Sequence, residues 1–260
     1  MKTYAVANQK GGVGKTTSVI NLGAMLAGRG RKTLIVDLDP QANATSSMGV
    51  NKNDLEQSTY EMILEDAGFE NLLLHSEAYD VDLLPANPAL AGAEVELVSA
   101  VGREYRLQSA LRALDGQFDY VLIDCPPSLG LLTINALAAA NDGVLIPVQC
   151  EYLALEGLTQ LLQTVELVQR FLNPQLTIRG LIMTMYDGRT NLSRQVVEEV
   201  RAHFKENVFR TIIPRSVRLS EAPSFGLPVS LYAPNSAGAV AYRLLAAELL
   251  RGDQVAEKVT

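Results

Sequence analysis

One glycine-rich stretch constrains the fold more than any other part of the chain. It consists of Lys10, Gly11, Gly12, Val13, Gly14, Lys15, Thr16 and Thr17. An apolar run at residues 3–7 predicts a short strand before it, and apolar residues at helical spacing follow it from Val19 to Leu26. A strand, a glycine loop and a helix in this order are the setting of a phosphate-binding loop. A glycine turn with a surface lysine is the alternative, and the flanking strand and helix argue against it.

The residue types in this stretch suit phosphate chemistry. Glycines allow a tight turn in which several backbone N–H groups point at one anion, and the start of the following helix adds partial positive charge. Lys15 can reach the β- and γ-phosphates of a nucleotide, and the Thr16 hydroxyl can bind Mg²⁺. Lys10 stands directly before the first glycine of a shortened loop, where it is not required for the nucleotide of its own subunit. A solvated lysine is the alternative for that position.

Aspartates follow a second predicted strand. The apolar run at residues 34–36 leads to Asp37 and Asp39, and Pro40 stops the strand there. Ligands bind at the carboxyl edge of open parallel sheets, so a carboxylate here can orient a water or share in a Mg²⁺ shell. A capping aspartate is the alternative at each position.

A third strand is predicted from the apolar residues before Asp124. Asp124 ends this strand in the arrangement of a Walker B aspartate, which would hold Mg²⁺ through water opposite Thr16. Residues 125–130 then read Cys-Pro-Pro-Ser-Leu-Gly, a stiff turn that can report whether a γ-phosphate is present. A buried strand with a capped end explains Asp124 alone, but not three such loops at three strand ends.

Strands alternate with helices throughout the chain. This order predicts an α/β fold, a doubly wound and mostly parallel sheet with helices on both faces. We expect residues 1–252 to form a single domain, a closing helix at residues 237–250 and a frayed polar tail at residues 253–260. An irregular loop is expected before the closing helix.

Composition excludes several classes of protein. The 260 residues are 48% hydrophobic and 20% charged, as in an ordinary globular domain, and no apolar run is long enough to span a membrane. Cys125 and Cys150 fit neither a zinc spacing nor a disulfide framework, which favours a reduced cytoplasmic setting.

The distribution of charge is uneven. The net charge is −7, but residues 171–220 hold eight basic and four acidic residues, so this segment carries +4 and the remainder −11. A locally basic face can hold a polyanion in a salt-dependent way. A normal solvated helix surface is the alternative.

Five stretches together carry a resemblance to a known family. They are residues 10–17, residues 37–41 (Asp-Leu-Asp-Pro-Gln), residues 124–128 (Asp-Cys-Pro-Pro-Ser), residues 186–192 and residues 213–223. On these motifs the chain resembles, over nearly its whole length, the ParA/Soj-type chromosome-partitioning ATPases. These belong to the deviant Walker A group of P-loop nucleoside triphosphatases, which also contains MinD. One departure is Ala42, where the family frequently has glycine, and we expect it to stiffen that loop slightly.

The resemblance implies an ATPase that uses ATP and Mg²⁺. Lys10 would reach the phosphates of a partner subunit's nucleotide, so that ATP bridges a sandwich homodimer. Asp39 would position the attacking water with support from Asp37, and slow basal turnover is expected because a carboxylate is a weak base. The implied catalytic residues are Lys10, Lys15 and Asp39, the metal site is Thr16, Asp39 and Asp124, and the adenine neighbours are Met185 and Pro214.

The resemblance also implies partners. The ATP-bound dimer would bind double-stranded DNA without sequence specificity, with Arg189 and Arg218 as the main contacts and Arg194 and Arg215 as further candidates. A centromere-binding protein of the ParB type would accelerate hydrolysis and so release the dimer from DNA. The protein would be cytoplasmic and associated with the nucleoid, without membrane attachment.

Two other functions are compatible with a loop of this kind. A MinD-like membrane-cycling regulator would need a basic amphipathic C-terminal helix, and residues 251–260 have too few bulky apolar side chains for one. A relative of the nitrogenase iron protein would need cluster cysteines at a dimer interface, and neither Cys125 nor Cys150 is placed for that role.

Overall fold

One sheet organises the molecule. A computed structural model of the chain describes residues 1–65, 69–151 and 154–257. Within these ranges, eight strands form the sheet in the order β3-β4-β2-β5-β1-β6-β7-β8. The strands are β1 (Lys2–Val6), β2 (Thr33–Asp37), β3 (Leu74–Ser76), β4 (Val81–Leu84), β5 (Tyr120–Asp124), β6 (Gly143–Gln149), β7 (Ile178–Tyr186) and β8 (Val208–Pro214).

Helices connect most of these strands. They are α1 (Lys15–Ala27), α2 (Asn43–Ser47), α3 (Thr59–Leu64), α4 (Leu90–Glu96), α5 (Arg106–Arg112), α6 (Leu131–Ala139), α7 (Ala154–Phe171), α8 (Asn191–Phe204), α9 (Val217–Glu221), α10 (Val229–Tyr232) and α11 (Ala237–Glu257). Short 3₁₀ segments occur at Phe69–Asn71, Leu97–Ser99, Lys205–Asn207 and Ala222–Phe225. Thr190 is a residue type that favours a helix start, and its side chain caps α8 by accepting a hydrogen bond from the Ser193 N–H.

The central strands bring the predicted motifs to one edge of the sheet. Strand β1 lies between β5 and β6, and β2 lies on the other side of β5, all in parallel pairing. Val6 pairs with Asp124, and Asp124 pairs with Asp37 on the other side. The glycine-rich loop and the two aspartate loops therefore leave neighbouring strands at the same level.

Each face of the sheet buries its own layer of helices. The side chains of β5 alternate between the layers: Val121 and Ile123 pack with α3 to α8, whereas Tyr120 and Leu122 pack with α1 and α11. Apolar residues on both faces explain why these strands read as unbroken hydrophobic runs. The predicted α/β, doubly wound and mostly parallel sheet is confirmed, with the β3–β4 hairpin as its antiparallel pair.

The end of the chain differs from the prediction. The expected frayed tail is wrong for residues 253–257, because α11 continues to Glu257. Asp253 is buried and accepts hydrogen bonds from the Tyr4 hydroxyl at 2.7 Å and the Tyr120 hydroxyl at 2.8 Å. Arg179 also donates to it, from Nε at 3.1 Å and Nη2 at 3.0 Å. A buried polar cluster, and not apolar periodicity, holds this last part of the helix; residues 258–260 lie outside the described ranges.

The segment before the closing helix also differs. The expected irregular loop contains α9, a 3₁₀ turn and α10. Apolar residues at helical spacing predict a long amphipathic helix at residues 151–172. It corresponds to α7, although residues 152 and 153 lie outside the described part of the chain.

Candidate nucleotide site

The glycine-rich loop has the backbone of an anion-binding turn. Gly12 and Gly14 have φ values of 73° and 91°, a left-handed conformation that favours glycine. Gly14 is the residue before α1 and has no side chain that could cap the helix, so it leaves the first N–H groups of α1 available to a ligand. Strand β7 steadies the loop, since the buried Thr184 hydroxyl donates to the Val13 carbonyl at 2.8 Å. The loop backbone is thus fixed in a conformation that can bind an anion.

Lys15 and Thr16 face the carboxylates of the neighbouring strands. The Thr16 hydroxyl donates to Asp124 Oδ2 at 2.7 Å. Lys15 is only 7% exposed. Its burial lowers its pKa, and the negative charges of Asp124 and Asp39 oppose that shift. The fold therefore brings together Lys15, Thr16, Asp39 and Asp124, which the sequence analysis assigned to one site.

Asp124 has the character of a cation ligand. It is fully buried, and its Oδ1 has no hydrogen-bond partner in the part of the chain that the structure describes. Burial, with a further contribution from the Asp37 carboxylate, raises the pKa of Asp124 well above its usual range. A hard divalent cation would satisfy this oxygen and keep the carboxylate ionised. The described residues contain no group of three or more His, Cys, Asp or Glu side chains that could hold a metal.

Asp37 fixes the loop that carries Asp39. The Asp37 carboxylate accepts from the Asp39 N–H at 3.1 Å, and from the N–H and hydroxyl of Thr45 at 2.8 and 2.7 Å. Burial raises the pKa of Asp37 to about 6, and these hydrogen bonds oppose the shift. Asp39 in turn accepts from the Gln41 N–H at 2.9 Å. Asp37 thus has a supporting position behind Asp39, as the resemblance implies.

Ala42 lies in the same loop in a conformation that alanine disfavours. Its φ of 51° is left-handed, and the residue is completely buried at the start of α2. The glycine that the family frequently has at this position would adopt this backbone without strain.

Lys10 lies at the mouth of the loop beside a carboxylate. Its Nζ is 3.9 Å from Glu151 Oε2, and the guanidinium of Arg215 lies 3.9 Å from Glu151 Oε1. The Lys10 N–H donates to Asn8 Oδ1, and the Asn8 side chain donates to the Pro147 carbonyl. The backbone of Lys10 is therefore anchored to β6, while its ammonium group forms a long ion pair with Glu151.

A cavity of about 340 Å³ opens next to the loop. Gly14 and Thr17 line one side of it, and Met185 and Pro214 line another. Met185 has a φ of 53° at the end of β7, a strained position for a side chain that borders a ligand space. Both residues expected near adenine thus border a space that continues from the phosphate loop.

The predicted DNA-contacting arginines lie on exposed loops and helices. Arg189 donates to Asp187 from Nε at 2.9 Å and Nη2 at 2.7 Å, which lowers the pKa of Asp187 to about 2. Arg218 donates to Glu221 at 2.8 Å, and Arg194 and Arg215 are exposed. The Arg215 N–H donates to the Tyr186 carbonyl at 2.9 Å and so joins the two arginine-bearing segments. Arg189 is thus held by Asp187 and Arg218 by Glu221, two ion pairs that were not predicted from the sequence.

Several residues of the site escaped the sequence analysis. Thr184 lies two residues before the end of β7, and Glu151 lies two residues after the end of β6. A polar residue near the end of a buried strand is the signal that could have indicated them. Tyr242 lines the cavity and its hydroxyl is 3.0 Å from the Ser18 hydroxyl, but it lies in a helix distant in sequence and carries no local signal.

The remaining candidate features are structural. Cys125 and Cys150 are buried, and burial raises the pKa of both thiols, that of Cys150 to about 12. None of the helices in the described ranges is both long and apolar enough to cross a membrane.

The glycine loop, the buried Lys15 and the Thr16–Asp124 pair on a parallel sheet define a P-loop nucleoside triphosphatase. A family model described as an AAA domain matches residues 1–178. The chain is 56% identical over 248 residues to the sporulation initiation inhibitor protein Soj of Bacillus subtilis, covering 95% of this chain and 98% of that one. It is 54% identical over 252 residues to the chromosome partitioning protein ParA of Myxococcus xanthus, and this match covers 97% of this chain and 89% of that one.

The chain therefore belongs to the ParA/Soj family of chromosome-partitioning ATPases. A crystal structure described as cobyrinic acid a,c-diamide synthase from Mycobacterium smegmatis, with bound ADP and magnesium, is also similar. It has 44% sequence identity and a TM-score of 0.87 and covers 98% of this chain and 96% of that one. The resemblance stated from the motifs is thus confirmed, and with it the ATPase class.

Proposed function

We propose that this chain is an ATP-gated switch that binds DNA during partitioning. The proposal rests on where the nucleotide site and the arginines lie. The carboxyl edge of the sheet carries Lys10, the nucleotide cavity and the segments that bear Arg189, Arg215 and Arg218. A second subunit that docked at this edge would meet both the nucleotide and the arginines. ATP can then control DNA binding through dimerisation alone.

The nucleotide is ATP and the metal is Mg²⁺. The backbone N–H groups of residues 11–17 and the Lys15 ammonium would hold the phosphates. Thr16, Asp39 and Asp124 would hold Mg²⁺, and the ion when bound would neutralise charge on the phosphate oxygens. Met185 and Pro214 would contact the adenine.

Hydrolysis requires a positioned water. Asp39, held by the loop that Asp37 anchors, would orient this water toward the γ-phosphate. Lys15 and, from the partner subunit, a second lysine equivalent to Lys10 would stabilise the charge that develops on the phosphoryl oxygens. A carboxylate is a weak base, so slow basal turnover and acceleration by a ParB-type partner are expected.

DNA binding would follow from dimerisation. One subunit presents few basic contacts, whereas a dimer doubles them on one surface and gains the advantage of bivalent binding. Arg189 and Arg218 would exchange their exposed carboxylates for DNA phosphates, with Arg194 and Arg215 nearby. Contacts to phosphates carry no sequence information, so the binding would be non-specific and salt-dependent.

An Asp39→Ala protein tests the proposal, because it should bind ATP without hydrolysing it. Light scattering after gel filtration should show a dimer with ATP and Mg²⁺ and a monomer with ADP. Co-sedimentation should show DNA binding with ATP only. Adding Lys10→Ala should abolish both, whereas adding Arg218→Glu should abolish DNA binding and leave the dimer. A protein that stays monomeric and free of DNA with ATP would contradict the proposal.

A further inference from the structure

Glu94 forms a contact that the ATPase motifs do not include. It lies on α4, and its Oε2 and Oε1 accept hydrogen bonds from the N–H groups of Leu131 and Leu132 at 3.1 and 3.3 Å. These are the first residues of α6, whose own sequence offers no capping side chain. A carboxylate at a helix start satisfies open N–H donors and interacts favourably with the helix dipole. Glu94 therefore caps α6 from another helix.

The capped helix start is also the end of the Walker B turn. Strand β5 ends at Asp124, residues 125–130 follow, and α6 begins at Leu131. The Thr133 hydroxyl donates to the Ser128 carbonyl at 2.6 Å, so α6 holds the turn from within. With Glu94 on the first turn of α6, both sides of the junction between turn and helix are restrained.

The rest of α6 is fixed independently of Glu94. The buried Asn135 side chain donates to the Arg103 carbonyl at 2.7 Å and accepts from the Leu107 N–H at 3.1 Å. Losing Glu94 would consequently free the first turn of α6 and the turn before it, without releasing the helix body. The effect of Glu94 should be confined to residues close to the nucleotide.

Gly130 shows how closely Glu94 approaches this junction. A Cβ at Gly130 would overlap the Glu94 carboxylate, although the Gly130 φ of −82° is open to any residue.

We propose that Glu94 is a positioning residue for ATP hydrolysis, which holds residues 125–130 in the conformation that the reaction requires. It acts through the first turn of α6 and touches no reacting atom. The proposal needs only the ATPase activity of the family and is independent of DNA binding. A displacement of about 1 Å in a group that positions the reactants can slow a reaction by about a hundredfold. Removing Glu94 should therefore lower the rate of hydrolysis more than the affinity for nucleotide.

The test compares Glu94→Ala with Glu96→Ala, a control two residues away on the same helix. Single-turnover phosphate release from radiolabelled ATP with Mg²⁺ measures the chemical step, and ADP titration measures binding. Glu94→Ala should slow phosphate release about tenfold and leave ADP affinity within about twofold. Glu94→Gln should recover to within about threefold of the parent protein, because its amide oxygen can accept one N–H bond. Glu96→Ala should leave both quantities within about twofold.

Gly130→Ala provides a second route, since its methyl group should displace the Glu94 carboxylate. This variant should also slow phosphate release, and the double variant with Glu94→Ala should be no slower than either single one, because both remove the same contact. Three results would each overturn the proposal: unchanged phosphate release in Glu94→Ala, an equal loss in Glu96→Ala, or a loss of ADP affinity in Glu94→Ala that matches the loss of rate.

Discussion

Removing the Asp253 carboxylate should destabilise the whole domain, although it lies near the end of the described chain. Four hydrogen bonds converge on it from Tyr4, Tyr120 and Arg179, and the Arg179 side chain is itself only 22% exposed. The carboxylate raises the pKa of Arg179, against the effect of burial. Asp253→Ala would remove the acceptor that these four hydrogen bonds share and the carboxylate that faces the Arg179 guanidinium.

The size of the loss follows from these contacts. Breaking a buried ion pair by removing one partner costs about 3–5 kcal/mol, and the partial exposure of Arg179 places this pair at the lower end. Each tyrosine hydroxyl adds about 0.5–1 kcal/mol. We therefore expect Asp253→Ala to lower the free energy of unfolding by about 4 kcal/mol, a large part of the stability of a typical domain.

Urea unfolding followed by far-UV circular dichroism measures this loss. Gln254→Ala changes the adjacent exposed residue of α11 and should stay within about 0.5 kcal/mol of the parent protein. Combining Asp253→Ala with Arg179→Met should recover part of the stability, because the unpaired cation is removed as well. A loss below about 1 kcal/mol, or one no larger than that of Gln254→Ala, would refute the reasoning.

Substitutions at three further residues test other contacts by urea unfolding. Thr45→Val should cost about 2 kcal/mol, because the hydroxyl both donates to a buried carboxylate and accepts from the Ala86 N–H; a negligible cost would contradict these hydrogen bonds. Ala42→Gly should stay within about 1 kcal/mol of the parent, since relief of the left-handed backbone offsets glycine entropy and the lost methyl group, whereas Ala42→Val should cost about 2 kcal/mol or more. The hydrogen bond to Asp82 raises the pKa of His75. The contribution of this pair to the free energy of unfolding is therefore complete below the ordinary histidine pKa and is lost above the raised pKa. His75→Gln should therefore cost a few tenths of a kcal/mol at about pH 5.5 and nothing at about pH 8.5, and equal costs at both would exclude this pair.

Strands and motifs that appear as continuous patterns in the sequence could be predicted, whereas very short helices could not. Strand β1 is an apolar run that leads into the glycine-rich loop, and β2 and β5 are apolar runs that end at an aspartate. These patterns allowed the parallel sheet and the grouping of Lys15, Asp39 and Asp124 to be inferred. Helices α9 and α10 span five and four residues. A segment that short does not repeat a helical period, and both were predicted as irregular loop.

Long-range contacts explain the other differences. Asp253 reads as part of a polar tail until its partners Tyr4 and Tyr120, which lie 249 and 133 residues away in sequence, are known. Glu94 likewise looks like a solvated helix residue, because the N–H groups that it caps belong to α6. Ala42 was visible as a departure from the family, but its backbone conformation was not.

The weak hold on Lys10 has a kinetic consequence. Its ammonium group lies 3.9 Å from a Glu151 carboxylate that is half exposed. An ion pair of this kind contributes less than about 1 kcal/mol, and exposed side chains change rotamer within nanoseconds. Release from Glu151 is therefore far faster than the diffusional meeting of two subunits. The rate at which Lys10 could reach a neighbouring subunit's nucleotide would be set by protein concentration and nucleotide occupancy, with no delay from opening its own ion pair.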